Sequence, residues 1–456
     1  MKRRAFAKAL GSIAATAATG SPLLLLGGCG GGGGGDGGIA EGLGQPPTAR
    51  IAFAEKETLD SLREKIRQNG YRFTVERNAV YDFSGFPGTP ALLPGVDPGL
   101  NSVAFPFSDA LLGAAADTLP LRCDARDRGG RSFIGPIENQ AESNNCWAFS
   151  TADVASVAHN VRNGLYDENC VVLSPLYLRY ILRSGSDSDL GVFYGLTRAG
   201  NPAGYPTGRE GACQAVDFPV ASFGQGGPSP PKEVIDRATE APRIYLRRCG
   251  RVYPARYPDT TAQIKAAILK YGAVQTSMKT NAAVCAYRSG VYEDTLTETD
   301  ATPYFRSHAN HAISLVGWDD APPEGGGGCW ILRNSWGTSW GEDGYMRIRY
   351  FSARVNCFGA FIEGLVPGES DLAISGALAI DGAGVDILDL VTLTLTGADS
   401  FAITPVSGEF CFQALDPGSY RVTPTLPGVA FSPPYRELTL AGKSFTGMEF
   451  AGRRNG

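Results

Sequence analysis

The chain has 456 residues, a hydrophobic fraction of 43% and a net charge of −5. Because this length exceeds one ordinary domain, we expect two folded units with accessory segments. The 59 glycines and 30 prolines indicate many turns and at least one β-rich region, rather than a helical bundle. No basic stripe with interleaved aromatic residues occurs, which argues against nucleic acid as a partner.

Residues 1–28 have the pattern of an export signal. A basic start is followed by an uncharged run over 9–26 and then by Leu26-Gly27-Gly28-Cys29. This last stretch resembles the bacterial lipobox, in which the cysteine is acylated, and Arg3-Arg4 resembles a twin-arginine signal. We therefore expect export, with Cys29 anchoring the protein by lipid to a bacterial membrane, at its periplasmic face or at the cell surface. An uncleaved membrane anchor is the weaker alternative, because Gly, Ser, Thr and Pro interrupt the apolar run.

Residues 29–48 are expected to form a lipidated, flexible tether, because this glycine-rich segment has too few apolar side chains to build a hydrophobic core. Beyond it, leucine and isoleucine at helical spacing predict a helix over 58–68 that ends at Asn69-Gly70. Alternating apolar residues then predict a strand at Tyr71, Phe73 and Val75. The Gly-, Pro- and Ala-rich stretch 87–117 predicts an extended, accessible connector.

Residues 119–368 have the composition of a mixed α/β globular domain. A helix is predicted over Cys146–Asn163, and because it is apolar nearly all round we expect it to be buried. A second helix is predicted over 263–270. Strands are predicted over three further segments, which are 312–318, 330–333 and 345–350.

The composition changes again after Gly368. Short alternating segments separated by Gly, Pro, Asp and Ser predict a small β-sandwich over 369–456. Its predicted strands are 372–374, 391–395, 409–412 and 420–423. The stretches around Ser407–Phe410 and Leu415–Tyr420 resemble the prealbumin-like repeats attached to many surface proteins.

Three segments of the main domain contain the candidate catalytic residues. The first contains Gln140 and Cys146-Trp147-Ala148-Phe149, the second Asn310-His311, and the third Asn334-Ser335-Trp336-Gly337. Each resembles the matching block of papain-like cysteine peptidases, in the same order, and the resemblance covers roughly residues 119–359. It implies an α+β, papain-like two-lobed fold, with a helical lobe and a β-barrel lobe, followed by the β-sandwich. It also implies a monomeric cysteine endopeptidase that hydrolyses peptides or proteins without a cofactor.

The chemistry explains why these residue types occur together. Acyl transfer from an amide needs a thiolate, and the first turn of a buried helix would place Cys146 at the positive end of the helix dipole. His311 would act as its base, and Asn334 would orient the imidazole through its second nitrogen. Gln140 would donate a hydrogen bond to the oxyanion beside the backbone N–H of Cys146. By resemblance, Trp336 would shield the Asn334–His311 contact from water.

Two features depart from the family pattern. Residues 142–145 replace the usual small residues before the nucleophile with Glu, Ser, Asn and Asn. We expect Asn145 to cap the helix and Glu142 to raise the pKa of the thiol. Cys146 and His311 are 165 residues apart (311 − 146), which implies additional loops that reshape the cleft.

The remaining cysteines and histidines bear on disulfides and metals. Once Cys29 and Cys146 are set aside, eight cysteines remain, and an even number in an exported protein favours disulfide bonds of open connectivity. We expect no metal, because no Cys pair has ligand spacing and the close histidines are His308 and His311. His159 and His308 match no motif and are expected to be structural or solvated.

Residues 49–118 include a stretch that resembles a short inhibitory prosegment, from Arg63-Glu64-Lys65-Ile66 to Phe83. An extended segment lying in the cleft would block Cys146 until it is cut. We therefore expect a zymogen, with the cleavage site between Ala114 and Leu119.

Two alternatives stay open. One is a catalytically weak pseudo-peptidase that acts as a surface binding protein, and the other is a related amidase or transpeptidase with the same thiol chemistry. The complete set of Gln140, Cys146, His311 and Asn334 favours the peptidase, since a binding module has no use for an oxyanion donor. The side-chain preference is not predicted, because residues outside the matched blocks form the specificity pocket.

Overall fold

The computed structural model describes residues 50–82, 119–141, 143, 145–182, 195–196, 210–219, 230–252, 260–294, 310–355, 359–388, 390–403, 405 and 408–454. The predicted export signal, the tether with Cys29, the whole connector, the proposed cleavage site up to residue 118, and His308 lie outside the described residues. Within the described ranges, no helix is both long enough and apolar enough to span a membrane.

The helices are α1 (Leu59–Asn69), α2 (Ala79–Asp82), α3 (Cys146–Asn163), α4 (Pro175–Tyr177, continued by a π-helical turn over Leu178–Leu182), α5 (Lys232–Glu240), α6 (Thr260–Tyr271), α7 (Ala282–Cys285) and α8 (Val385–Leu388). The strands before residue 370 are β1 (Arg72–Val75), β2 (Arg122–Asp124), β3 (Leu246–Val252), β4 (Val274–Met278), β5 (Tyr287–Tyr292), β6 (His311–Asp319), β7 (Cys329–Arg333), β8 (Tyr345–Arg349) and β9 (Gly359–Gly364). The later strands are β10 (Leu372–Ile380), β11 (Thr392–Gly397), β12 (Phe401–Ile403), β13 (Glu409–Leu415), β14 (Gly418–Thr425), β15 (Val429–Ser432), β16 (Arg436–Leu440) and β17 (Phe445–Arg454).

One nine-stranded sheet organises the main domain. Its order is β1-β5-β8-β7-β6-β4-β9-β3, and β2 pairs with β6 beside this path. Strand β6 is buried on both faces: Ala312 and Val316 join the apolar cluster around α3, whereas Ile313 and Leu315 join the cluster around α6. The central strands of the sheet therefore lie between two cores, and their positions are fixed from both sides.

The predicted helix over Cys146–Asn163 is confirmed, and it is buried along most of its length. It ends at Gly164, whose φ of 65° is left-handed and therefore suits glycine. The three predicted strands correspond to β6, β7 and β8, and the second predicted helix corresponds to α6. Strands β4 and β9 were not predicted by alternation, because all their residues are buried and the pattern of period two is lost.

The segment before the main domain packs against β5 and its neighbours. Thr58 caps α1 by accepting a hydrogen bond from the Ser61 N–H, and β1 extends the sheet by pairing antiparallel to β5. Phe73 of β1 lies against Tyr292 of β5, with ring centroids 4.8 Å apart. The helix and strand predicted here are thus confirmed, and they are held to the main domain by strand pairing and aromatic packing.

The C-terminal strands form two four-stranded sheets, in the orders β13-β10-β17-β15 and β12-β11-β14-β16. Apolar residues from both sheets form one shared core. This region also contacts the main domain, because the side chain of Gln413 accepts a hydrogen bond from the backbone N–H of Cys249 in β3, at 2.9 Å. The β-sandwich and the boundary at residue 368 stay predictions.

The expected disulfide bonds are absent from the described part of the chain. None joins the cysteines described there, which are Cys123, Cys146, Cys170, Cys213, Cys249, Cys285, Cys329 and Cys411. Burial raises the pKa of Cys213, Cys285 and Cys329 to about 12, so these thiols stay protonated and pack as small apolar side chains. For these cysteines burial, rather than covalent pairing, accounts for their places in the fold.

Candidate active site

His311 and Asn334 meet because β6 and β7 are antiparallel neighbours. His311 is the first residue of β6, and Asn334 directly follows Arg333, the last residue of β7. The start of one strand therefore lies beside the end of the other, and His311 Nε2 is 2.8 Å from Asn334 Oδ1. Asn334 Oδ1 also accepts from the Ser335 N–H at 2.8 Å, which fixes the orientation of the amide.

This contact determines the tautomer of His311. Because an amide oxygen only accepts, Nε2 must carry the proton, and neutral His311 has an unprotonated Nδ1. Nδ1 is buried and has no hydrogen-bond partner. A buried, unsatisfied ring nitrogen is costly, and it is the atom from which a general base would act.

Trp336 stacks on the ring of His311, with centroids 4.5 Å apart and an angle of 20° between the planes. Both side chains are buried. Burial lowers the pKa of His311 to about 4, against the hydrogen bond to Asn334, which raises it. The site therefore disfavours an isolated imidazolium, and a charged His311 needs a neighbouring negative charge.

Cys146 is the first residue of α3 and is completely buried. Hydrogen bonds connect the first turns of α3 to the sheet that contains His311. Gln275 of β4 donates to Ser150 Oγ at 2.7 Å and to Thr151 Oγ1 at 3.1 Å, and Ser314 of β6 donates to the carbonyl of Ser150 at 3.3 Å. These buried hydrogen bonds fix the nucleophile helix against β4 and β6.

The prediction that Asn145 caps α3 is wrong. The helix has no side-chain cap, because Asn145 Oδ1 accepts a hydrogen bond from Arg179 Nε at 3.0 Å instead. Arg179 lies in the π-helical turn that follows α4. Glu142, the other residue singled out before the nucleophile, lies outside the described residues.

Gln140 lies in a loop that runs beside the segment after Asn334. Its backbone N–H donates to the Ser335 carbonyl at 2.8 Å, and its neighbour Asn139 forms a β-bridge with Trp336. The side-chain oxygen of Gln140 accepts from Ser335 Oγ, and its Nε2 donates to the carbonyl of Ser143 at 2.7 Å. The candidate oxyanion donor is thus tied to the residue next to the candidate orienting group.

A buried ionic cluster lies behind these residues. Arg333 forms an ion pair with Asp153 of α3 at 2.9 Å and donates to the carbonyls of Gly135 and Pro136. Burial raises the pKa of Asp153, and burial together with the Asp153 carboxylate raises the pKa of Glu138. The cluster links α3, the loop before Gln140 and the end of β7.

Several residues with roles in this geometry were not predicted. Ser335 was in a quoted motif but was given no role, and Ser143 was noted only as part of an unusual stretch. Gln275 and Arg179 carry no local signal, because their partners are distant in sequence. His159 is partly buried, and burial lowers its pKa. Among the described residues, no group of three or more His, Cys, Asp or Glu is placed to hold a metal ion.

Residues 245–358 match the family described as "Papain family cysteine protease". Cathepsin B-like CP3 of Giardia intestinalis is 30% identical over 215 residues, which is 47% of this chain and 64% of that protein. Human tubulointerstitial nephritis antigen is 31% identical over 231 residues, 47% of this chain and 46% of that protein. Cathepsin B-like cysteine proteinase 4 of Caenorhabditis elegans is 26% identical over 255 residues, 51% of this chain and 71% of that protein.

Among solved structures, a digestive procathepsin L2 proteinase from Tenebrio molitor larval midgut has a TM-score of 0.49 and 20% identity, over 67% of this chain and 88% of that one. The chain spans 46% to 64% of the length of the first curated relatives it matches. The family match contains His311 and Asn334, whereas Gln140 and Cys146 precede it. Residues 245–358 of this chain are thus similar to the papain family of cysteine proteases, and the hydrogen-bonded pair of His311 and Asn334 lies within the matched residues.

Proposed function

We propose that the chain is an exported cysteine endopeptidase that hydrolyses peptide bonds through Cys146, His311, Asn334 and Gln140. The observation that carries the proposal is the state of His311. Its Nε2 donates a hydrogen bond to Asn334 Oδ1, while its Nδ1 is buried without a hydrogen-bond partner. A ring held in this tautomer, on the sheet to which the nucleophile helix is fastened, suits a general base.

The reaction would proceed through an acyl-enzyme. His311 Nδ1 takes the Cys146 proton, Sγ attacks the peptide carbonyl carbon, and the tetrahedral oxyanion accepts from Gln140 Nε2 and the Cys146 N–H. His311 then returns the proton to the leaving amine as the C–N bond breaks. Water, deprotonated by His311, attacks the thioester, and the carboxylic acid leaves with Cys146 restored.

Because burial lowers the pKa of His311, the imidazolium of His311 would form only together with the thiolate of Cys146. At an effective dielectric constant of about 20, unit charges about 4 Å apart attract by about 4 kcal/mol, or roughly three pKa units. That attraction is large enough to bring the pKa of His311 from about 4 toward neutrality. Cys146 and His311 would therefore gain and lose charge together.

We also propose that the chain as it stands is a zymogen. Gln140, Cys146, His311 and Asn334 are each at most 2% exposed, whereas a peptide carbonyl must approach the thiol to about 3–3.5 Å. The segment containing α1 and β1 is fastened to the main domain: its Ala54 carbonyl accepts from the Ala282 N–H at 3.0 Å. Cleavage between Ala114 and Leu119 would break the covalent link between this segment and the main domain, so that the segment is held by these non-covalent contacts alone and can dissociate.

The proposed location rests on the sequence at the N-terminus. Leu26-Gly27-Gly28-Cys29 supports acylation at Cys29 and attachment to a bacterial membrane. The two C-terminal sheets support a prealbumin-like β-sandwich that binds a partner or spaces the enzyme from the surface. A truncation after Gly368 that changed neither turnover nor surface retention would remove that role.

The peptidase proposal is tested by activating the full chain and offering it a panel of fluorogenic peptides and a thiol-directed epoxide. We expect peptide turnover and one label at Cys146, and neither in Cys146→Ala. Labelling without turnover of any peptide would favour the pseudo-peptidase, whereas turnover of simple amides or acyl transfer to amines would favour the amidase or transpeptidase. A chain that is neither labelled nor active after cleavage would reject the proposal.

A further inference from the structure

Gln140 and Ser143 contact each other through three hydrogen bonds. The Ser143 hydroxyl donates to the Gln140 carbonyl at 2.7 Å, and the Ser143 N–H donates to the same oxygen at 3.1 Å. In return, Gln140 Nε2 donates to the Ser143 carbonyl at 2.7 Å. Both residues are buried, so these bonds are made in a low-dielectric environment where they are strong.

These contacts determine how many donors Gln140 can offer to a substrate. A primary amide has two N–H groups and one oxygen. Ser335 Oγ donates to Oε1, which fixes the flip of the amide, and the Ser143 carbonyl takes one N–H. One N–H of the Gln140 side chain is left for an oxyanion. Its direction is set by the plane of the amide group, which the hydrogen bonds to Ser143 and Ser335 fix.

The backbone around Gln140 needs this support. Ala141, the next residue, has a φ of 50°, a left-handed conformation that is unfavourable for alanine. The Ser143 N–H and hydroxyl close the chain around this residue by binding the same carbonyl. Without the hydroxyl, only the hydrogen bond from the Ser143 N–H to the Gln140 carbonyl would remain. The backbone of the loop would then keep its conformation, but the side-chain amide of Gln140 would be held less rigidly.

We propose that Ser143 is a positioning residue for the oxyanion donor Gln140, an inference that rests on the oxyanion role proposed above. The Ser143 hydroxyl, by donating to the Gln140 carbonyl, keeps the two residues in contact. The remaining N–H of the Gln140 side chain is then oriented to donate to the oxyanion of the transition state. An interaction realised only in the transition state changes kcat and leaves KM nearly constant.

The experiment measures kcat and KM for a fluorogenic peptide with the activated full chain, normalised to thiol titrated by iodoacetamide. We expect Ser143→Ala to lower kcat about tenfold with KM changed less than twofold, and Ser143→Thr, which keeps the hydroxyl, to restore most of kcat. In a Gln140→Ala background, Ser143→Ala should have no further effect on kcat. The matched control is Ser174→Ala, which removes a buried serine hydroxyl that donates to the Phe218 carbonyl at 2.6 Å, and it should leave kcat unchanged.

An unchanged or raised kcat in Ser143→Ala would overturn the inference, as would an equal loss in the Gln140→Ala background. If Ser143→Ala does not fold, loss of activity in the folded Ser143→Thr variant would overturn it as well. Failure of the proposed function is distinguishable, because it appears as absent turnover in the wild-type chain, whereas failure of this inference appears only in the ratios between variants.

Discussion

The main domain and the C-terminal region bury different kinds of side chains. The shared core of the two C-terminal sheets is apolar, and among the described residues after Gly368 the buried polar side chains are Ser375 and Gln413. Near the candidate site, by contrast, buried polar and charged side chains lie together: Gln140, Asp153, His311, Arg333 and Asn334.

The two regions differ in what their buried polar groups contact. Burying a polar group costs free energy unless it is hydrogen-bonded, and a fold that only has to be stable gains nothing from collecting such groups. At the site they bind one another, and His311 Nδ1 is left unsatisfied at the centre. Gln413, a polar exception in the C-terminal region, binds the backbone of β3 in the main domain. Substitutions should therefore affect turnover near the site and stability in the C-terminal core.

The largest expected effect is the loss of the base. His311→Gln should lower kcat by about 10⁴-fold, because the thiol loses its proton acceptor while folding continues. Turnover per titrated protein on a fluorogenic peptide measures this. The control is His159→Gln, a histidine on α3 outside the site, which should keep kcat within about twofold. Comparable losses in both variants would contradict the assignment.

The matching change in the C-terminal core should act on stability alone. Phe412 is completely buried in the shared core, so Phe412→Ala should lower the free energy of unfolding by about 3–5 kcal/mol. Urea unfolding measures the loss, and kcat/KM per titrated thiol at low temperature should equal that of the wild type. A fall in kcat/KM per thiol would show that the two regions are not separable in this way.

The next effect is a dependence of stability on pH. Burial lowers the pKa of His311 from 6.5 to about 4, so between these values the unfolded chain binds a proton that the folded chain does not. The free energy of unfolding should therefore fall as pH falls from 6.5 toward 4, by about 3 kcal/mol in all.

This pH dependence is measured by urea unfolding at pH 7 and pH 4.5 in a Cys146→Ser background, which removes the thiolate. Adding His311→Gln should remove the His311 contribution, so the difference between the two pH values should shrink. An unchanged difference would show that the imidazole is not held neutral by burial.

The smallest effect concerns the contact between the two regions. Gln413→Leu removes the acceptor for the Cys249 N–H and leaves that donor buried, which should cost about 1–3 kcal/mol. Turnover per thiol should not change. Thermal unfolding measures the loss, with the exposed Thr439→Val as a control on the outer face of β16. No loss of stability in Gln413→Leu would mean that the contact contributes nothing to the fold.

The sequence predicted the candidate site better than the sheet that builds it. His311, Asn334 and Trp336 were found because each lies in a short motif, and the structure brings them into contact. The residues that hold them were missed for a physical reason: Gln275 and Arg179 bind partners more than 30 residues away, and no local pattern records such a contact. The Asn145 cap failed for the same reason, since a distant arginine competes for its oxygen.

Strand prediction depended only partly on exposure. Parts of β11 and β14, where buried and exposed residues alternate, were predicted, but so were the buried strands β6, β7 and β13, whereas the equally buried β4 and β9 were not. Strand β10 was predicted only to Ile374, although it continues past Gly376 to Ile380. At Gly376 the backbone of Met448 in β17 approaches so closely that a Cβ would lie 1.9 Å from its carbonyl oxygen. Pairing with β17 thus explains why glycine occupies this position in the middle of the strand.

The most direct test of the central claim is the rate at which iodoacetamide alkylates Cys146 as a function of pH. In the activated wild-type chain we predict a midpoint below 8.5, the value of an ordinary thiol, because His311 accepts the proton. In His311→Gln the midpoint should rise by at least about one pH unit. Coincident midpoints in the two proteins would contradict the pairing of Cys146 with His311.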